Sequence, residues 1–180
     1  KGARKVSEKR LHGYLDNIKK SYGYESWAVY DSGYNEIISS SGSSQERLNY
    51  HPFIIGQAEA PFISDFHMEE SGKIDLDLVV PISSGGARFT ILFNINPSDF
   101  LYPLIREWPE ASNTGETLLV EKSGSEILYL NDLRSKNDAA LNLRMPLIDT
   151  LPAAVAANGI ESSMEGVDYR SVRGLAVTRN

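Results

Sequence analysis

The sequence predicts an α+β fold: two antiparallel sheets in series behind one long helix, with the second sheet module cut short. Three observations predict it. The first 22 residues carry apolar side chains at helical spacing. Residues 26–96 hold five short β-forming runs separated by Ser-, Gly- and Pro-containing breaks. After a break at Trp108-Pro109, residues 115–131 start a new pair of β-runs around a turn. The division this implies is an N-terminal helix over 1–24, a first module over 25–107 and an incomplete second module over 108–180.

Val6, Leu11, Tyr14, Leu15, Ile18 and Tyr22 recur every three or four residues, with Lys, Arg, Glu and Asp between them. That pattern gives an amphipathic helix with one apolar stripe, ended by Gly23. The stripe fits packing on the chain's own sheet, or against a second copy in a homodimer. Next comes a hairpin, 26–31 with 34–39, in which Trp27 and Val29 alternate with Ala28 and Tyr30 as in a half-buried strand. Residues 39–44 suit a loop. Residues 45–58, apolar but interrupted by Pro52, suit broken helical turns.

Residues 61–67, 74–82 and 88–96 form three strands joined by short turns, an antiparallel meander. In the middle strand Ile74, Leu76, Leu78 and Val80 share one face, and Asp75, Asp77 and Val79 the other. A helix follows over 97–107, with Ser98 or Asp99 as its N-cap. In the second module, 118–120 and 127–130 make a hairpin around 122–125. A loop at 133–139, a strand at 141–147, a helix at 149–157 with Pro152 in its first turn, and strands at 162–169 and 172–178 complete it.

A net charge of −6 over 180 residues argues against a nucleic-acid partner. The one basic cluster lies in the first 20 residues and fits a solvated helix face or a segment beside an anionic membrane surface. The chain has no cysteine, which excludes disulfides, thiolate metal sites and Cys nucleophiles. No apolar run approaches the ~20 residues of a membrane helix and no signal peptide is visible; because the chain starts at Lys1 without a Met and stops abruptly at Asn180, it is expected to be a fragment of a longer protein from which membrane segments have been cut away. No nucleophile elbow, HExxH, P-loop or GxGxxG is present. The chain itself is therefore expected not to be an enzyme, and neither a cofactor nor a metal is assigned.

The polar residues of the first module are the candidate site. Asp65 and His67 are two apart on one strand and so share a face, near Asp75 and Asp77 on the next strand. The alternatives to a ligand pocket are a divalent cation site on these four residues and an ordinary wet outer face. Unpaired carboxylates flanked by apolar residues cost several kcal/mol if buried, so either that face is solvated or something compensates the charge. Arg88 and a cationic or hydrogen-bonding small molecule are the two candidates for that role. Trp27 and Tyr30 supply aromatic wall. The candidate ligand-binding set is thus Trp27, Tyr30, Asp65, His67, Asp75, Asp77 and Arg88. In the second module Glu165, Asp168 and Tyr169 suit structural roles in a turn, and Asn131, Asp132 and Arg134 suit loop capping and the surface.

Several stretches carry a family likeness: SDFH at 64–67, IDLDLVVPI at 74–82, DFLYPLIREWP at 99–109, TGETLLVEKSGSEILYLNDLR at 114–134 and EGVDYR at 165–170. In their order and spacing they resemble the double Cache domain, the tandem PAS-like extracytoplasmic sensor of membrane-bound histidine kinases, diguanylate cyclases and chemoreceptors. The likeness implies two PAS-like modules, a small-molecule ligand in the membrane-distal first one, and flanking membrane segments outside this chain. It also implies location outside the cytoplasm and a whole protein that is a sensor kinase or cyclase. A ligand-free PAS-like module that dimerises or binds a protein is the other reading. The chain departs from the family in lacking the last strand of the second module and the Arg-Trp-Tyr cluster of one amino-acid-binding subgroup, so that specificity is not carried over.

Overall fold

A computed structural model describes residues 2–40, 59–69, 71–106 and 114–180, with side chains from residue 7 onward. The fold is α+β, with antiparallel sheets. The chain divides into two compact units, Lys1–Asp99 and Phe100–Asn180.

In the first unit helix α1 spans Gly2–Tyr22. It ends as expected at Gly23, whose φ of 72° lets the Tyr24 amide reach back to the Lys19 carbonyl at 3.0 Å. The apolar stripe is only partly used. Leu15 is buried against the sheet, while Leu11, Tyr14 and Tyr22 are exposed.

Six strands form the sheet: β1 (Ser26–Asp31), β2 (Glu36–Ser39), β3 (Phe62–Ile63), β4 (His67–Met68), β5 (Ile74–Ser84) and β6 (Ala87–Ile95). The order is β2-β1-β6-β5-β3, with β4 also paired to β5. Gly85 and Gly86 both have positive φ and close β5 onto β6 in a two-residue turn, tighter than the five-residue turn the sequence suggests. The sheet is buried on both sides. One face carries Trp27, Val29, Ile91 and Phe93 against Leu15 of α1; the other carries Ala28, Tyr30, Val79 and Leu92. The expected half-buried β1 is instead covered on both faces.

The largest departure concerns residues 61–67. They are not one strand. β3 pairs Phe62 with Val79 and Ile63 with Leu78, but β4 pairs His67 with Asp75 and Met68 with Ile74. The register slips by one residue between them, and one slipped residue exchanges the two faces. The expected helix at 97–107 is shorter, α2 at Leu101–Arg106, and groups with the second unit. Neither Ser98 nor Asp99 caps it. Asn96 Oδ1 instead accepts the Ser98 amide at 2.9 Å in the preceding turn. The helical turns expected at 45–58, most of the loop expected at 39–44 and the break at 108–109 lie outside the described residues.

In the second unit β7 (Val120–Ser123), β8 (Glu126–Tyr129) and β9 (Arg144–Pro146) form a three-stranded sheet, with Gly124 at φ 64° in a two-residue turn. β10 (Ser162–Val167) and β11 (Arg173–Thr178) form a separate ribbon. Helix α3 (Pro152–Ala157) starts on a proline and ends before Gly159, φ 73°. Its Ala153 and Ala154 join Ile127, Tyr129, Leu133, Ala139 and Leu151 in one core. The expected order of hairpin, helix and hairpin holds, but the strands make two sheets rather than one shortened copy of the first.

Candidate functional site

The face of the first sheet opposite α1 begins apolar and ends polar. Cross-strand pairing aligns Tyr30 with Thr90 and Ala28 with Leu92, then Ser26 with Asn94 and Asn94 with Asp77. Directly opposed residues share a face, so Ser26, Asn94 and Asp77 form one polar row. Asp75 lies two residues along β5, and the register slip places His67 opposite it. All five are buried, with Asp75 at 0% and Asp77 at 2% exposure. A wet outer face is therefore ruled out for these residues.

The bulge is what assembles them. Ser64 stands across from Asp77: its amide donates to the Asp77 carbonyl at 2.8 Å, and its Oγ accepts the Asp77 amide at 2.8 Å. The extra residue then turns Asp65 outward, where it is exposed, and returns His67 to the inner face. Asp65 and His67 accordingly do not share a face, contrary to strict alternation. His67 Nε2 lies 3.5 Å from Asp77 Oδ2, and its Nδ1 lies 3.4 Å from the Asp65 carbonyl oxygen.

The charge compensator is also not the expected one. Arg88 is exposed beside the β5–β6 turn, paired with Ser83. At ~3.3 Å per residue it sits roughly 20 Å along the strand from Asp77. Lys73 takes the role instead: its Nζ lies 3.1 Å from Asp75 Oδ1 and also pairs with Glu25 Oε2. Asn94 Nδ2 donates to Asp75 Oδ2 at 3.1 Å. Lys73, Asn94, Ser64 and Ser26 were not anticipated. The polar residue within the apolar run of β6 is the signal that could have found Asn94; nothing in the sequence marks Lys73.

The two aromatic residues separate. Tyr30 belongs to the inner face, but Trp27 belongs to the α1 face. Its indole Nε1 donates to Asp16 Oδ1 at 2.9 Å, and the His12 ring meets it edge-on at 5.0 Å. Three residues apart on a strand, the two side chains point to opposite faces, so Trp27 fastens the helix and does not line this site.

The set brought together is therefore His67, Asp75 and Asp77, joined by Lys73 and Asn94; Tyr30 shares their face but lies four residues along β1 from Ser26, roughly 13 Å from the polar row. Among the described residues no group of three or more His, Cys, Asp or Glu side chains is placed to hold a metal ion, and no helix is long and apolar enough to cross a membrane.

The second unit holds a cleft of about 430 Å³ lined by Ile105, Arg106, Glu116, Thr117, Asn131 and Arg134 among others. Three of its polar side chains, Asn131, Asp132 and Glu116, are committed to structure. Asn131, buried and not at the surface, accepts the Leu119 amide at 2.6 Å and donates to the carbonyls of Thr117 and Asp132. Asp132 Oδ1 accepts the amides of Ala139 and Ala140. Glu116 Oε2 accepts the Arg134 amide at 2.9 Å. Tyr102 donates to the Leu130 carbonyl at 2.6 Å, and burial pushes its hydroxyl up to about 12. Asp168 is a turn lock, as expected: Oδ1 accepts the amides of Arg170 and Val172, and Oδ2 the Arg170 guanidinium. Burial works to raise its pKa, but these bonds outweigh it and the net direction is down.

The sequence matches no family model and no curated protein.

Proposed function

We propose that this chain is the extracytoplasmic ligand-sensing region of a transmembrane signal-transduction protein of the histidine kinase or diguanylate cyclase type, with the ligand held on the inner face of the first sheet. The single observation that carries the reading is the buried polar row on that face. Buried polar groups cost several kcal/mol unless they are paired, and this row keeps Ser26 Oγ and Asn94 Oδ1 with no hydrogen-bond partner among the described residues. The strand order β2-β1-β6-β5-β3 supports a PAS-like module, and the sequence likeness supports its double Cache setting. Binding would signal only through unequal affinity for two states; a fewfold to hundredfold preference corresponds to about 1–3 kcal/mol.

A ligand screen by thermal unfolding tests this. At least one small molecule should raise the melting temperature saturably, and the double substitution Asp75→Asn with Asp77→Asn should remove that shift. A screen with no binder, together with a crystal structure whose inner face holds no small molecule, would contradict the reading.

The second reading, a ligand-free module that dimerises through its helix, draws on one observation: Leu11, Tyr14 and Tyr22 of α1 are 40%, 65% and 73% exposed. It predicts a dimer in light scattering that Tyr14→Glu dissociates.

A further inference from the structure

We infer that the outer face of the β10–β11 ribbon is a self-association surface, and that its occupant is a second copy of this chain. This goes beyond the sensor reading and does not depend on it. The register aligns Glu165 with Leu175 and Val167 with Arg173. Opposed residues share a face, and so do residues two apart on one strand. The four therefore form a square, with Leu175 and Val167 on one diagonal and Glu165 and Arg173 on the other. Val177, opposite Ser163, continues the same face. The other face of the ribbon is closed by α3: a Cβ at Gly166 would meet Pro152 Cγ at 2.6 Å. The outer face is open. Leu175 is 80% exposed and Val177 60%, an apolar pair on one strand that stands in water in the isolated chain.

The charges say what covers it. Glu165 and Arg173 are both exposed, and neither side chain has an ion-pair or hydrogen-bond partner among the described residues. A wholly apolar partner would strand both charges. A partner surface of one sign would attract one and repel the other. What fits is an acid and a base at exchanged corners around an apolar centre, and the face itself has that pattern. An isologous two-fold contact requires that residue i meets j while j meets i. A two-fold axis along the Leu175–Val167 diagonal satisfies this. It brings Leu175 and Val167 onto their own counterparts and exchanges Glu165 with Arg173, so that each arginine faces a glutamate of the second copy. The contact is small, at the weak and transient end of the range, so half-association is expected at roughly 0.1 mM protein.

Sedimentation velocity of the whole chain over a range of concentrations tests the inference. The wild type should pass from monomer to dimer. Leu175→Glu should weaken the dimer by about a hundredfold, since it removes an apolar side chain from each copy. Glu165→Arg and Arg173→Glu should each weaken it about tenfold, since each replaces two attractions by two repulsions. The most telling arm is an equimolar mixture of those two single variants. Exchange across the axis again sets arginine against glutamate at both corners, so a mixed dimer should form at about wild-type strength. A Glu165–Arg173 pair within one chain would give no such rescue. Thermal unfolding of each variant as a monomer should match the wild type, because all three side chains are exposed. A wild type still monomeric at roughly 1 mM, as when another protein covers this face, would overturn the inference. So would a mixture that associates no more tightly than its two components. A dimer that Tyr14→Glu dissociates and Leu175→Glu leaves intact would move the contact to α1 and overturn it as well.

Discussion

The two units treat buried polar side chains in opposite ways. In the second, Asn131 is buried and spends its amide on one backbone amide and two carbonyls, and Asp132 and Asp168 each hold two backbone amides. These residues build loops. In the first, Ser26 and Asn94 keep acceptor atoms with no hydrogen-bond partner among the described residues, beside two buried carboxylates. On the proposed sensor reading, the difference separates polar groups that serve folding from polar groups that a ligand would complete. A fully satisfied network rigidifies; a partly satisfied one is costly unless a further partner supplies the missing bonds.

That contrast can be broken experimentally. The largest effect should come from Asn131→Ala, which strands one buried donor and two acceptors; a loss of about 3 kcal/mol in denaturant unfolding is expected. A loss below about 0.5 kcal/mol would mean that these bonds are not structural. Asp168→Asn should cost less, below about 1 kcal/mol near neutral pH, because the turn is partly exposed and its ion pair is screened. Its pH dependence is more telling. The folded-state pKa of Asp168 is lowered, so its stabilisation is present above the ordinary carboxylate range and fades as pH falls through the lowered value. The wild type should lose stability along that acid limb and Asp168→Asn should lose less; parallel acid limbs would remove Asp168 from the explanation. The smallest effect should be that of Ser26→Ala without ligand, about zero or slightly stabilising, since an unpartnered hydroxyl is removed. A loss above about 1 kcal/mol would show that Ser26 is already satisfied and would erase the contrast.

The β-strands were legible where local signals decide them. Alternation in 74–80 assigned the faces of β5 correctly, and glycines at 85–86 and 124 marked both tight turns. The candidate site was half legible. Asp75 and Asp77 could be placed because period-two alternation holds along β5. Asp65 and His67 could not, because the bulge after Ser64 breaks that alternation, and it is stabilised by a hydrogen bond to Asp77, a partner distant in sequence. Arg88 was misassigned because charge was matched without distance; Lys73, just before β5, meets Asp75 across a separation of two residues. Trp27 was misassigned because an aromatic residue reads the same whichever face it occupies, and only the packing of Leu15 decides it.

The most direct test is a crystal structure of protein purified from cells without added ligand. Density within hydrogen-bonding distance of Asn94 Oδ1, beside Asp75 and Asp77, that neither protein nor water accounts for is the result expected. An inner face in which Ser26 and Asn94 are satisfied by the chain itself, with no bound molecule, would contradict a ligand site there.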